Sequence, residues 1–288
     1  LEALRLVASY LDDRGLQASA AASAVRIACP QRARDKGLRG PEVGPILKKV
    51  IAVTRDGNLR KKAEAQLRRI PKGAKGPQGE VGAKGGEEGF VSLFNGKDMA
   101  GWVGAVKGYV AENGLLVCLK KGGGNLFTEK EYADFILRFE FKLTPGANNG
   151  LGIRTPLRGN PAYAGMELQI LDNTAKRYAK LRPYQFHGSI YGVVPAKRGH
   201  LKPVGEWNAQ EVTAKGTRIT VKLNGATIVD ADLAPFINGE KKTADGGGVK
   251  RHPGLLRKTG HIGFLGHGAR IEFRNLRIKE LQPGAGEM

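Results

Sequence analysis

The stretch Ile219-Thr-Val-Lys-Leu-Asn-Gly-Ala-Thr-Ile228 alternates apolar and polar residues on both sides of a central Asn224-Gly225 pair. Alternation with a period of two places the apolar side chains on one face of a strand. Asn-Gly is typical of a two-residue type I′ turn, because both turn residues take a positive φ. The sequence therefore predicts a β-hairpin here, within a sheet protein.

Similar runs surround this hairpin from Phe90 to about Leu281, separated by clusters of Gly, Pro, Asn and Asp. About ten strands are expected, with no helix-period stretch between them. The alternating runs are 115–119, 135–143, 150–155, 166–171, 211–214, 219–229, 261–264 and 269–278. Strands at this spacing predict an all-β sandwich of the jelly-roll kind over residues 89–282, followed by a short tail at 283–288.

Residues 1–71 have a different, helical pattern, with apolar residues three or four positions apart. A shift of 43 residues superimposes Leu4 on Leu47, Val7 on Val50, Asp13 on Asp56, Leu16 on Leu59, Ala20 on Ala63 and Ile27 on Ile70. Helical hairpins repeating at about this period are typical of HEAT solenoids, so we expect two HEAT-like repeats. Two repeats bury little core, which predicts further repeats upstream of Leu1 in a longer protein.

The segment 72–88 between these regions is rich in glycine, at positions 73, 76, 79, 82 and 85. Glycine at every third position is the collagen pattern, but so few triplets with a single proline are too short for a triple helix. The sequence predicts an extended or flexible linker.

Composition narrows the possible functions. The 288 residues carry a formal charge of +20, which suits nucleic acid, acidic polymers or a membrane surface. The basic residues are spread over both halves without interleaved aromatics, so we expect no nucleic-acid partner. No apolar run is long enough for a membrane span. Cys29 and Cys118 are too few for a disulfide framework or a four-cysteine zinc site, and both are expected to be buried.

Five motifs in the β region then carry a family resemblance: Gly89–Asp98 with Gly101-Trp102, Asn149–Arg154, Met166–Asp172, Gly205–Asn208, and Gly266-His267-Gly268 followed by Glu272–Asn275. In this order the chain resembles the 3-keto-disaccharide hydrolase domain over about residues 89–281. The resemblance implies a concanavalin-like jelly roll and a carbohydrate-active enzyme. Its relatives are common in bacteria that degrade polysaccharides, often in exported chains, which implies a periplasmic or secreted protein.

The resemblance also implies a chemistry. In a 3-keto glycoside the C3 ketone acidifies the C2 proton, so a base can remove that proton and the C1 leaving group can depart. Water then adds to the enone. The reaction needs one positioned base, one acid and a donor for the enolate. It does not need the paired carboxylates of ordinary glycosidases.

Alternation along Met166–Asp172 places Glu167 and Gln169 on the face opposite Met166, Leu168 and Ile170. The polar face is expected to line the open, concave sheet surface, with Glu167 as the base. Arg154 would share that surface and polarise the keto oxygen if its strand pairs with this one. An ordinary surface salt bridge is the alternative.

The other candidates lie in loops and at strand ends. His187 is the candidate partner acid or base, or else an ordinary loop histidine. The expected sugar-binding residues are Asp172, Tyr191, Trp207, Asn208 and His267. For three of these a structural role competes: core packing for Trp207, and turn formation for Asp172 and Asn208. No cofactor is predicted, although Glu167, His187 and His267 are the candidates for a divalent metal assembled from distant residues.

Three functions remain open on the sequence. The first is a hydrolase or lyase that acts on 3-keto glycosides, with an oligosaccharide or glycoside as substrate. The second is a non-catalytic carbohydrate-binding module on a helical-repeat scaffold. The third is an assembly protein that binds protein partners through both regions. A base held in a groove among sugar-binding groups distinguishes the first from the second.

Overall fold

The structure is a computed structural model in which residues 2–8, 10–11, 15–30, 37–38, 43–69 and 88–282 are described. The chain divides into two compact units, Leu1–Glu80 and Val81–Met288. The predicted linker at 72–88 lies, except for residue 88, outside the described residues, as do the predicted tail at 283–288 and the repeat positions Asp13 and Ile70. The predicted domain boundaries therefore stay predictions.

The described residues of the first unit form four helices, each packed against the next along the chain. They are α1 (Glu2–Ala8), α2 (Gln17–Ala28), α3 (Val43–Val53) and α4 (Gly57–Arg69). Leu4 and Leu47, two positions related by the 43-residue shift, are both fully buried in one apolar cluster, and so is Ala63. The predicted helical pattern is confirmed, whereas the HEAT-like character of the repeat stays a prediction.

The second unit is an antiparallel β-sandwich, as predicted. Its described residues form thirteen strands: β1 (Val91–Ser92), β2 (Trp102–Gly104), β3 (Tyr109–Glu112), β4 (Leu115–Cys118), β5 (Gly124–Tyr132), β6 (Phe135–Leu143), β7 (Asn148–Thr155), β8 (Met166–Leu171), β9 (Trp207–Lys215), β10 (Arg218–Leu223), β11 (Ala226–Asp232), β12 (Gly260–Gly266) and β13 (Ile271–Glu280). Three four-residue helices lie between strands: α5 (Pro161–Ala164), α6 (Ala234–Ile237) and α7 (Gly248–Arg251).

The strands form two sheets. The larger sheet has the order β11-β10-β9-β6-β13-β4-β3, with β1 also paired to β13, and the smaller has the order β2-β5-β12-β7-β8. Aromatic side chains fill the space between them: the ring centroids of Phe264 and Phe273 are 3.9 Å apart, and Phe139 meets Phe264 edge-on at 5.7 Å. Burying such large side chains supplies most of the driving force for the fold.

The Asn224-Gly225 turn adopts the predicted conformation. Leu223 pairs with Ala226, and the φ angles of the two turn residues are +50° and +89°. Both values match a type I′ turn. Burial also follows the alternation, since Ile219, Val221 and Leu223 all lie in the core. The two free cysteines are buried, as expected.

The described residues also bear on the expectations for membrane spans and for the set of strands. No helix among them has the length and apolar character needed to cross a lipid bilayer. Strand β5 was absent from the predicted set, because Thr128-Glu-Lys-Glu131 interrupts its apolar alternation. It nevertheless pairs with β2 on one side and with β12 on the other.

Candidate functional site

The site is built on β7 and β8, which pair antiparallel at one edge of the smaller sheet. Met166, Leu168 and Ile170 point into the core, as predicted. Glu167 and Gln169 therefore occupy the opposite, outer face. Both are only 6% exposed, so this face is covered by loops rather than open to solvent as the sequence had suggested.

Glycines on β7 make room for the Glu167 carboxylate. Gly152 pairs with Glu167, and Gly150 pairs with Gln169. A Cβ atom added at Gly150 would lie 2.0 Å from Glu167 Oε1, a distance that no real contact allows. The carboxylate thus lies directly against the bare backbone of β7, which explains why the Asn149–Arg154 motif has glycine at this position.

Burial makes the Glu167 carboxyl a weaker acid than an ordinary glutamate. It raises the pKa of this carboxyl from an ordinary value of 4.5 to about 7. With its amide nitrogen facing these acceptors, Gln169 donates to Glu167 Oε1 at 3.2 Å and to the Asn149 carbonyl at 2.8 Å. A carboxyl that titrates near neutral pH and is oriented by a neighbour is suited to proton transfer.

Tyr191 lies beside Glu167 on a segment that extends the sheet edge. Its backbone N–H donates to the Glu167 carbonyl at 2.9 Å, and its hydroxyl accepts a hydrogen bond from Gln185 Nε2 at 3.0 Å. Burial raises the pKa of Tyr191, with smaller contributions from neighbouring tyrosines and from the Glu167 charge. The phenol therefore stays protonated at neutral pH and can donate a proton.

His187 does not approach this face, which corrects the prediction of a catalytic loop histidine. Its ring lies in the interior, 5.1 Å from the ring of Phe141, and is 2% exposed. Nδ1 accepts the Leu171 N–H at 3.4 Å. Burial lowers the pKa of His187 to about 3, against the opposing effect of the Gln210 side chain. The imidazole is therefore neutral and structural.

Arg154 belongs to β7 as expected, but its guanidinium is committed elsewhere. Nη2 contacts Asp134 Oδ1 at 2.9 Å, Nε donates to the Ala133 carbonyl at 3.1 Å, and Nη1 donates to the Gly216 carbonyl at 2.8 Å. The side chain is 5% exposed. It ties three chain segments together, which corrects the expectation that it faces the groove beside Glu167.

Asp172 and Asn208 take the structural alternatives that the sequence left open. Burial alone would raise the pKa of Asp172, but hydrogen bonds from Thr174 and from the Gly146 amide hold it below its ordinary value. Asn208 lies on β9 in the larger sheet, where its Oδ1 accepts from the Lys202 amide and from Asn224, both at 2.9 Å. The hydrogen bonds of both residues thus stabilise the turns and loops next to them.

Trp207 and His267 also lie apart from the Glu167 site. Trp207 is on β9, where the Arg274 guanidinium stacks 4.1 Å and Lys142 Nζ lies 5.0 Å from the ring centre. It thus packs neither in the core nor against the polar face of β8, contrary to both expectations. His267 is exposed in the turn between β12 and β13. Within the described residues, Glu167, His187 and His267 do not form a metal-binding cluster.

With the geometry in place, comparison with known proteins identifies the family. The sequence profile described as the 3-keto-alpha-glucoside-1,2-lyase-like domain matches residues 89–279. The chain belongs to this family. The matched range covers nearly the whole sandwich, which confirms the resemblance predicted from the five motifs.

Three named relatives are consistent with membership of the 3-keto-alpha-glucoside-1,2-lyase-like family. The chain is similar to a 3-keto-disaccharide hydrolase of Bacteroides thetaiotaomicron, with 27% identity over 67% of this chain and 79% of that protein. It is also similar to the crystal structure of a proposed glycosyl hydrolase from Parabacteroides distasonis ATCC 8503, with 28% identity, a TM-score of 0.60, and coverage of 67% of this chain and 99% of that one. A second such structure from that organism has 26% identity, a TM-score of 0.55, and coverage of 68% and 95%.

Sequence reasoning missed a histidine–carboxylate pair in this 3-keto-alpha-glucoside-1,2-lyase-like domain. His252 Nε2 lies 2.9 Å from Asp245 Oδ2, and both side chains are buried. The His252 ring packs 5.2 Å from the ring of Tyr163, which in turn meets Tyr191. No local motif marks the pair, because its two members lie in loops that only the fold brings next to β8.

A separate concavity of about 440 Å³ lies on the opposite edge of the smaller sheet. Residues of β1 and β5 and of the loop between β1 and β2 line it, among them Leu93, Gly101 and Tyr132. Its titratable lining groups include Glu129 and Lys130, which are exposed. The Glu167 carboxyl is buried, whereas these two charged groups are exposed, so we place the candidate site at β8 rather than in this concavity.

Proposed function

We propose that this chain is a carbohydrate-active enzyme that cleaves the glycosidic bond of 3-keto glycosides, with Glu167 as the base. The observation that carries the proposal is a buried carboxyl whose pKa is about 7 on the outer face of β8. Family membership and the names of the relatives support a glycosyl-hydrolase type of activity. The 3-keto specificity is our proposal from the family resemblance, and a single positioned carboxyl is sufficient for the base step that it implies.

The first step is removal of the C2 proton by Glu167. The C–H electron pair forms the C1–C2 double bond, and the C1–O bond breaks. Because the C3 carbonyl accepts charge in the transition state, the pKa of the carbon acid is within reach of a carboxylate that titrates near neutral pH. One carboxyl suffices here, and no second carboxylate at glycosidase spacing is needed.

The second requirement is a proton for the departing oxygen, and we assign it to Tyr191. His187 cannot supply it, because it is neutral and lies inside the sandwich. The Tyr191 hydroxyl accepts a hydrogen bond from Gln185, which leaves its own proton free to donate outward. Addition of water to the enone then completes hydrolysis, whereas release of the enone makes the reaction a lyase reaction.

The test is turnover of a methyl 3-keto-α-glucoside by the Glu167→Gln variant. This change keeps the shape and hydrogen bonding of the side chain but removes the base, so we expect kcat to fall by about 10²–10⁴-fold. Glu206→Gln, at an exposed glutamate, is the matched control and should keep full activity. Wild-type protein that binds the glycoside without cleaving it would favour the carbohydrate-binding module instead.

Two further parts of the function remain proposals. We propose that the helical unit is a HEAT-like scaffold that binds protein partners, supported by the 43-residue repeat and by equal burial of Leu4 and Leu47. A periplasmic or secreted location is proposed from the family resemblance alone.

A further inference from the structure

Two tyrosines flank Tyr191 beyond the edge of β8. The ring of Tyr163 lies 6.5 Å from that of Tyr191 at an interplanar angle of 78°, and the ring of Tyr184 lies 6.2 Å away at 85°. Tyr163 is in α5, whereas Tyr184 follows Pro183 in the loop between β8 and β9. All three rings are half-buried, so each keeps some surface for a ligand.

The charged side chain of Arg251 lies beside Tyr163, next to the three tyrosines. Its guanidinium lies 5.5 Å from the centre of the Tyr163 ring, and Nη2 is 3.5 Å from the Tyr163 hydroxyl. Nε contacts Asp245 Oδ2 at 3.2 Å, so the side chain is held while 57% of it stays exposed. A guanidinium carries several donors in a fixed plane and is suited to binding sugar hydroxyls.

The buried His252–Asp245 pair supports Tyr163 and Arg251, because His252 packs on the first and Asp245 contacts the second. The His252 ring also lies close to Gly192, the residue after Tyr191. A Cβ atom added at Gly192 would be 2.5 Å from the His252 ring. Asp245 also accepts from Thr243 Oγ1 and from the Gly247 amide, both at 2.9 Å. Part-buried hydrogen bonds thus orient Asp245, which contacts Arg251, and His252, which packs on Tyr163, as a preformed binding site requires.

From this arrangement we infer that Tyr163, Tyr184 and Arg251 form the subsite for the leaving-group sugar. The inference rests on the proposed function. If Tyr191 protonates the glycosidic oxygen, the sugar attached to that oxygen must lie beside Tyr191 and away from Glu167. The side chains that flank Tyr191 there are two aromatic rings and a guanidinium, which match the apolar face and the hydroxyl rim of a pyranose.

The experiment compares two substrates, a 3-keto-disaccharide and the corresponding methyl 3-keto-glycoside, which lacks the leaving sugar. Tyr163→Leu and Tyr184→Leu keep apolar volume but remove the ring, and Tyr178→Leu is the matched control at another half-buried loop tyrosine. We expect kcat/KM for the disaccharide to fall by about 10-fold in the first two variants, as loss of an aromatic contact predicts. The methyl glycoside has no leaving sugar, so for this substrate the variants disturb only the ring contacts with Tyr191, and kcat/KM should fall clearly less than for the disaccharide.

The comparison separates this inference from the proposed function. An equal loss with both substrates, or no loss with the disaccharide, would overturn the subsite. If the wild-type protein cleaves neither substrate, the proposed function fails, and calorimetric titration with the unoxidised disaccharide decides the subsite. Weaker binding by the two cluster variants than by Tyr178→Leu would support the subsite, and equal or absent binding by all proteins would overturn it. Thermal melting confirms that each variant is folded.

Discussion

At the scale of single residues, environment decides the role of each polar side chain more than its identity does. Glu167 and Asp172 are both buried carboxyls on or next to β8. Asp172 accepts several hydrogen bonds and its pKa is lowered, whereas burial raises the pKa of Glu167 to about 7. Alternation in the sequence correctly placed Glu167 opposite the core. It could not show this difference, because the burial of Glu167 and the Gly146 amide that donates to Asp172 both depend on the tertiary fold.

The raised pKa of Glu167 also predicts a pH dependence of stability. Its pKa is about 7 in the fold against 4.5 for the ordinary carboxyl, so the folded state binds more protons between these values. The free energy of unfolding should therefore fall as pH rises from about 4.5 through 7, by on the order of 3 kcal/mol. Glu167→Gln removes this dependence and should be more stable than wild type at pH 8.

The measurement is urea unfolding of both proteins at intervals from pH 5 to pH 8. The two unfolding curves should nearly coincide at pH 5 and separate as the pH rises. If the difference in free energy between them is constant over this range, Glu167 does not titrate there and the role of base loses its physical support. The exposed Glu206→Gln variant supplies the baseline.

At the scale of elements, β7 shows what the sequence could and could not reveal. The alternation of core and outer residues along β8 was predictable from the period of two, whereas the sequence left the pairing of β7 with β8 open. The position of the Arg154 side chain was not predictable from the sequence. Its backbone takes a φ of +49°, and the side chain reaches Asp134 and Gly216 in other segments. A left-handed φ at a non-glycine residue depends on tertiary contacts that no local pattern records.

Gly150→Ala tests whether β7 positions the base. The new methyl group would lie 2.0 Å from Glu167 Oε1, so the carboxylate must move while the core face of the strand is untouched. A displacement of about 1 Å can lower a rate by about 100-fold, and we expect a loss of that size in kcat. Gly57→Ala is the control, since nothing lies within 4 Å of its added Cβ atom. Unchanged turnover by Gly150→Ala would show that the glycine serves packing alone.

At the scale of the whole molecule, each of the two units has its own apolar core. The helical cluster contains Leu4, Leu47 and Ala63, and the sandwich cluster is centred on residues such as Phe139 and Phe273. The change from helical to strand period in the sequence predicted helices in the first region and a β-sandwich in the second, and both are present. The resemblance motifs all lie in the sandwich, and so does every residue of the proposed site.

Residues 88–288 produced alone should therefore fold and cleave the 3-keto glycoside with the kcat of the full chain. A unit whose core is complete without other residues unfolds cooperatively on its own. Its unfolding midpoint in differential scanning calorimetry should lie within about 3 °C of the sandwich transition in the full protein. The full chain should show a second transition from the helical unit, which the shortened protein lacks. A midpoint lowered by 10 °C or more, as losses of several kcal/mol would produce, would mean that the helices stabilise the enzyme directly rather than being joined to it as a separate scaffold.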